Sequence, residues 1–337
     1  MSTIAPLFTD PGDLPVLQVE NLTRHFQAGR RGLFGERQTV RAVDGISFEV
    51  KRGEVFGIVG ESGCGKSTAS KAILNIHPPQ VGSVRLNGIE LTTLSEPEWR
   101  EMRRKIQYVF QDPLGALDPR IKVIEQVIEP LKIHRLGTRL ERKEKAIRLL
   151  HSVGLLDDQL EKYPHEVSGG QRQRIVLARA LILEPELLIC DEPISALDVS
   201  IQAQVVTLLQ RLRAELGLTI LFISHDLSIV RYLCDRVAVM YLGEIVEMAS
   251  VKELFESPRH PYTKALISAI PIPEPGMERE HIFLEGEPPS PIDPPPACRF
   301  HVRCPFSAPL CRQRAPERIS YPGGRMVACH LVHGDLD

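Results

Sequence analysis

Three short runs of this sequence carry residues suited to phosphate chemistry. Gly60-Glu61-Ser62-Gly63-Cys64-Gly65-Lys66-Ser67 has the form G-x-x-x-x-G-K-[ST] and is followed by Thr68. Its glycines let backbone N–H groups turn inward around a terminal phosphate, Lys66 adds a mobile cation, and Ser67 offers a hydroxyl to Mg²⁺. The apolar run Leu187-Leu188-Ile189-Cys190 delivers Asp191 and Glu192 together. Asp191 suits Mg²⁺, directly or through water, and Glu192, on the opposite side of the pleat, could polarise an attacking water. Between the two lies Val167-Ser168-Gly169-Gly170-Gln171, a hydroxyl and two glycines leading into a helical pattern over Gln171 to Leu183, the arrangement for anion capture at a helix start. Gln111 ends an apolar run and can touch Mg²⁺ or the attacking water. His225, after Thr219 to Ile223, could hydrogen-bond a γ-phosphate and orient Glu192 and water. Taken singly, several of these read blandly: Gln111 as a surface amide, Asp191-Glu192 as a salt-bridged pair, Ser224-His225 as a capping serine with an incidental histidine.

Elements must position these residues. Residues 16–30 alternate apolar and polar as an edge strand, with a Gly/Arg-rich loop near Arg30 to Gly35, and Val40 to Val50 reads as another strand. Val55 to Val59 is a buried parallel strand feeding the glycine loop, and Lys66 to Ile76 a helix, the strand–loop–helix context that a phosphate loop requires. Val84 to Leu86 and Ile89 to Leu91 flank Asn87-Gly88 as a tight hairpin. Ile106 to Phe110, Leu187 to Cys190, Thr219 to Ile223 and Val237 to Tyr241 are further strands. A helix presents Ile201, Val205, Leu208, Leu212 and Leu216 on one face and stops at Gly217. The alternation predicts an α/β fold with a mostly parallel sheet, interrupted by a charged helical insert over about 113–185.

The order and rough spacing of these motifs resemble the ATP-binding cassette (ABC) ATPases over residues 16–250. The resemblance implies a P-loop NTPase ABC ATPase fold with an antiparallel β-subdomain, an inserted helical subdomain and ATP hydrolysis with Mg²⁺. In that family Ser168, Gly169, Gly170 and Gln171 would bind the γ-phosphate held by another subunit's P-loop. Val167 stands where the family usually has Leu, an apolar exchange. Ser195-Ala196-Leu197-Asp198 resembles the loop that crosses the dimer seam, which assigns Ser195 and Asp198 there. The aromatic that stacks on adenine aligns with Phe26, with Val43 as a second wall; by itself Phe26 reads as strand packing. A signature turn cannot fold back onto its own P-loop, so each ATP is expected between two chains.

The chain has 337 residues, 43% hydrophobic and 25% charged, a globular composition for one large domain plus an extension or for two domains. With 41 basic and 43 acidic residues it has no broad electrostatic footprint for nucleic acid. No apolar run approaches the ~18 residues of a membrane span. Residues 1–15 lack a secretory pattern and are expected to be flexible, and the location expected is cytoplasmic, with any membrane role through a partner.

After about residue 250 the composition changes, and nine prolines fall between Pro271 and Pro296, a linker or wrapped loop. Ser257-Pro258-Arg259-His260-Pro261-Tyr262-Thr263-Lys264-Ala265-Leu266, Glu285 to Pro291, Cys298-Arg299-Phe300-His301, Arg303-Cys304-Pro305 and Gly323 to Cys329 look like the tail of ATPase subunits of oligopeptide and dipeptide importers, most similar to the F-type subunit. That resemblance implies powering the uptake of short peptides at the cytoplasmic face of the inner membrane. It also implies a D-type ATPase paralogue as heterodimer partner in preference to a homodimer, two transmembrane permease subunits and an extracytoplasmic peptide-binding protein. Related systems with the same tail carry nickel or glutathione, and no residue here reads the cargo. The insert over 113–185 is expected to dock on the permeases, with Gln111 linking it to the γ-phosphate.

Cys298, Cys304, Cys311 and Cys329 crowd the extension, 251–337. In a reducing compartment such a cluster points to metal ahead of disulfides. These positions match cysteines that can hold a 4Fe-4S cluster in the importer family. Their spacing lacks the C-x₂-C pairs of zinc ribbons, while Zn²⁺ and metal-free thiols stay open.

Overall fold

A computed structural model describes residues 15–30, 37–195, 197–270, 282–284, 286–287, 289–292, 294 and 296–334. The stretch expected to be flexible (apart from Pro15), residues 31–36 of the Gly/Arg-rich loop, Ala196 and much of the proline run lie outside the described residues.

In chain order the elements begin with β1 (Leu17–Arg30), β2 (Arg37–Val50), β3 (Val55–Val59), α1 (Lys66–Ile73), β4 (Val81–Leu86), β5 (Ile89–Glu90), α2 (Glu96–Lys105) and β6 (Ile106–Val109). The helices α3 (Pro113–Ala116), α4 (Val123–Ile133), α5 (Arg139–Ser152), α6 (Asp157–Leu160) and α7 (Gly169–Leu181) follow. Then come β7 (Leu187–Asp191), α8 (Val199–Leu216), β8 (Thr219–Ser224), α9 (Leu227–Leu233), β9 (Arg236–Tyr241), β10 (Glu244–Ser250), α10 (Val251–Glu256) and α11 (Pro261–Ser268). The last elements are α12 (Pro309–Gln313), β11 (Ile319–Tyr321), β12 (Arg325–Val327) and α13 (His330–His333). They sort into two compact units, each discontinuous in sequence.

The first unit gathers the described residues of 15–18, 49–54 and 85–221. Here β6 and β7 pair in parallel, from Ile106 opposite Leu187 to Val109 opposite Cys190. Every residue of β7 is buried, as a continuous apolar run between helical layers demands. The Asn87-Gly88 turn has positive φ at both residues, 48° and 79°, and sets Arg85 opposite Glu90 and Leu86 opposite Ile89. Helix α2 was not evident from periodicity, because it buries only Trp99; a Ser95–Glu98 capping box starts it. Helices α4, α5 and α7 pack on one another, and Val123, Val127, Ala146, Leu150, Ile175 and Leu177 on them are buried. Helix α8 buries Val205, Leu208 and Leu212 and ends at Gly217 in the left-handed region. Leu216, expected on the buried face, is exposed.

The second unit gathers the described residues of 19–48, 55–84 and 222–334. It joins the glycine-loop segment and the tail. One sheet has the order β2-β1-β4, the other β11-β12-β10-β9-β3 followed by the end of β8. Strands β3 and β9 are parallel, with Gly57 opposite Val237. Strands β9, β10, β12 and β11 pair antiparallel. The sequence reading of a mostly parallel sheet therefore understates the antiparallel part here: β11 and β12 have three residues each, too short for a period to show. Tyr241, Tyr262 and Phe300 form an aromatic knot, with ring centroids 4.7 to 5.4 Å apart, which ties β9, α11 and the tail together. Among the described residues, no helix is long and apolar enough to cross a membrane.

Candidate nucleotide site

The phosphate loop hangs between the buried strand β3 and helix α1. Two of its glycines are required by shape. Gly60 has φ 155°, and a Cβ there would lie 2.2 Å from the Met240 carbonyl oxygen. Gly65 has φ 108°, and a Cβ there would lie 2.0 Å from the Ala42 carbonyl oxygen. Gly65 is also the N-cap of α1 and makes no side-chain cap hydrogen bond, and the loop lies at the positive end of the helix dipole. The Lys66 ammonium is held inside the loop, donating to the carbonyls of Gly60 at 2.8 Å and Glu61 at 3.0 Å. Burial pushes the Cys64 thiol up, so this loop cysteine is no ready nucleophile. Ser62 and Gly63 are exposed, while Ser67 and Thr68 are half-buried on the first turn of α1.

The two residues expected at the adenine lie on β1 and β2. Phe26 is half-buried, with the Arg24 guanidinium 4.8 Å from its ring centroid and His77 edge-on at 5.6 Å. Val43 is wholly buried.

In the first unit, Tyr108 donates to Asp191 at 2.6 Å and Gln111 donates to Glu192 at 3.2 Å. The parallel register of β6 on β7 makes both possible. Strand β7 ends at Asp191, so pleat alternation does not aim Glu192 as the sequence reading supposed. Its backbone sits in the left-handed region at φ 46°, a conformation that a glutamate holds only when its surroundings impose it. The Ser195 hydroxyl donates to the Glu192 carbonyl at 3.1 Å. Ser195 and Asp198 are exposed, and so is Val199, at 81%.

Ser168 is the N-cap of α7, and Ser168 and Gln171 form a reciprocal capping box. That box starts the helix at Gly169, two residues before the expected Gln171. Ser168 is exposed, and a Cβ at Gly170 would meet Ile201 at 2.7 Å, so α7 needs glycine to lie close on α8. In the second unit, His225 is exposed just beyond β8. The cap of α9 is Asp226, not Ser224: its carboxylate accepts from Ser228 N–H at 2.8 Å, while Ser224 Oγ accepts from Asp226 N–H.

Sequence reasoning missed three supporting residues: Tyr108 on Asp191, and Arg303 and Tyr262 on Glu61. Arg303 grips the Glu61 carboxylate at 2.7 and 3.1 Å, and Tyr262 Oη accepts from the Glu61 N–H at 3.0 Å. Tyr108 stood in the apolar run before Gln111, and the other two stood inside the tail motifs, but nothing local told which residue each would reach.

In the tail all four cysteines are free. Cys298 N–H donates to the Cys311 carbonyl at 3.1 Å. Burial, with smaller repulsions from Cys311, Cys329 and Cys304, pushes the Cys298 thiol up to about 12. Cys304 and Cys329 are raised chiefly by burial and also by their cysteine neighbours. Among the described residues, no three His, Cys, Asp or Glu side chains converge as a metal-holding group.

Comparison with known proteins places these motifs. The ABC transporter family matches residues 43–195, and the oligopeptide/dipeptide transporter C-terminal region family matches 246–311. The oligopeptide transport ATP-binding protein AppF of Bacillus subtilis is 49% identical over 320 residues, which cover 94% of this chain and 97% of AppF. OppF of Salmonella typhimurium, another oligopeptide transport ATP-binding protein, is 49% identical over 306 residues, covering 89% and 92%. The dimeric, post-hydrolysis structure of the ATP-binding cassette MJ0796 with ADP and Pi superposes with a TM-score of 0.62 at 29% identity, over 70% of this chain and 98% of that one. With about half its residues shared over nearly the full length of these relatives, the chain belongs to the ATP-binding subunits of the ABC oligopeptide-transporter family, and it is an ATPase that works on ATP with Mg²⁺.

Proposed function

We propose that this chain is the F-type ATPase subunit of an importer for short peptides, acting at the cytoplasmic face of the membrane through two permease subunits and supplied by an extracytoplasmic peptide-binding protein. The observation that carries this is the pairing, in one chain, of a cassette match over 43–195 with an oligopeptide-transport tail match over 246–311.

In this reading the glycine loop 60–65, Lys66 and Thr68 bind the phosphates, and Phe26 and Val43 lie toward the adenine. Ser67, Asp191 and Gln111 would hold Mg²⁺, which would supply charge neutralisation at the phosphates. Glu192 polarises the attacking water and His225 hydrogen-bonds the γ-phosphate. The Gln111–Glu192 hydrogen bond and the left-handed backbone of Glu192 support this assignment. Ser168 to Gln171 bind the γ-phosphate held by a partner cassette, a D-type paralogue, and Ser195 and Asp198 line the seam. Nucleotide then bridges the two cassettes, and hydrolysis removes the bridging hydrogen bonds so that they separate.

The four tail cysteines are assigned to a metal centre, a 4Fe-4S cluster before zinc; their crowding within residues 298–329 of the sequence supports this, and no step of hydrolysis passes through it. An anaerobic preparation should be brown, with absorbance near about 400 nm that Cys→Ser changes remove; a colourless, metal-free anaerobic preparation would overturn it.

The functional test is reconstitution in vesicles with the permeases and the paralogue. Peptide-loaded binding protein should stimulate ATP hydrolysis and drive peptide inward, and Glu192→Gln should abolish both. Accumulation of nickel or glutathione without peptide would refute the cargo assignment.

A further inference from the structure

Two arginines of the tail reach the segments that shape the phosphate loop. The Arg303 side chain, only 5% exposed, donates through both terminal nitrogens to the two carboxylate oxygens of Glu61, at 2.7 and 3.1 Å. Glu61 is the second residue of the loop, and its own carbonyl accepts from Lys66 Nζ at 3.0 Å. Its N–H is taken by Tyr262, which is fully buried against Tyr241 and Phe300. The Arg299 side chain, 6% exposed, donates to Asp44 and to the Leu242 carbonyl and lies 3.3 Å from Glu244.

Asp44 closes the β2 segment 42–44, against which the loop is packed: Ala42 supplies the carbonyl that excludes any Cβ at Gly65. The tail also holds β2 through its backbone just before that segment, since Arg41 N–H donates to the Pro291 carbonyl at 3.0 Å and Val40 bridges Ile292. The loop and its supporting wall are therefore both anchored on residues 291–303. A bidentate guanidinium–carboxylate pair fixes orientation as well as attraction, and a buried guanidinium keeps its place only while paired.

We propose that the C-terminal tail is a built-in positioning element of the nucleotide site, in which Arg303, with Tyr262 and Arg299, sets the geometry of the phosphate loop. These are positioning residues; none is assigned a contact with nucleotide. The inference rests on the reading that the loop binds ATP.

The test uses the full chain, titrated with a fluorescent ATP analogue, with steady-state hydrolysis and a thermal melt in parallel. Arg303→Lys keeps the charge but loses the fork, and its Kd and KM for ATP should rise about tenfold, while kcat at saturating ATP stays within about twofold. Glu61→Gln probes the same bond from its more exposed partner and should raise Kd and KM for ATP by a similar factor, so the question stays answerable if the arginine variant does not fold. The double variant Arg303→Lys/Glu61→Gln should bind ATP no more weakly than the worse single variant. A lowered melting temperature with unchanged affinity and KM in both single variants would make the contact merely structural and overturn the inference. A wild-type chain that fails to bind the analogue would overturn the ATP reading itself.

Discussion

Gly65→Ala, set beside Gly63→Ala, tests whether the phosphate loop works through its backbone geometry. Both glycines have left-handed φ, 108° and 80°, and both lie in the same loop. Their surroundings differ. At Gly63 an added Cβ meets nothing within 4 Å, so the variant bears only the left-handed penalty of roughly 1–2 kcal/mol. At Gly65 the added Cβ lies 2.0 Å from the Ala42 carbonyl oxygen, a backbone atom that no rotamer change can move. Reaching even a tight contact of about 3 Å requires the loop and β2 to part by about 1 Å, and misplacement on that scale costs on the order of 100-fold in a positioned site. Because Gly65 caps α1, the displacement is passed to Lys66 and Ser67 directly. ATP affinity measured by fluorescence titration should fall about 100-fold for Gly65→Ala and only a few-fold for Gly63→Ala. Equal affinities in the two folded variants would refute the reasoning.

Other consequences concern the tail. His260 is buried, accepts from Tyr262 N–H through Nδ1 at 3.1 Å, and is held neutral by burial with its pKa lowered to about 3. The unfolded chain protonates this ring near pH 6.5 and the folded chain does not, so stability present above pH 6.5 is lost as pH falls toward 3. Denaturant titrations should show wild type losing about 2 kcal/mol more than His260→Asn between pH 7 and 5, a variant that retains a capping acceptor; parallel losses would exclude His260 as the source. Glu247, fully buried on β10, accepts from Arg325 and from the N–H groups of Arg259 and His260. Glu247→Ala strands a buried guanidinium and should lower unfolding free energy by about 3–5 kcal/mol; a change below about 1 kcal/mol would show that the site rehydrates.

Much of the nucleotide machinery was legible because it is local. A tight turn written as Gly60, Gly63 and Gly65, a buried strand written as Val55 to Val59, and a helix start written as Ser168-Gly169-Gly170-Gln171 all announce themselves within a few residues. What stayed hidden was carried by long-range partnership. Glu61 and Arg303 are 242 positions apart, and neither residue type says that the other is its partner. Tyr108 reaches Asp191 only through the register of two parallel strands. The direction of Glu192 could not come from pleat alternation, since the strand ends one residue earlier and the backbone then turns left-handed. The tail, read as an extension after residue 250, contributes β12 beside β10 and packs in the same compact unit as the phosphate loop.

The most direct test of the account is the association state of Glu192→Gln with and without ATP, followed by sedimentation alongside its turnover. The account predicts unchanged ATP binding, lost hydrolysis, and a two-cassette species that forms with ATP and dissolves when nucleotide is withdrawn. Wild-type turnover in that variant, or full-speed hydrolysis by single wild-type cassettes at any dilution, would contradict it.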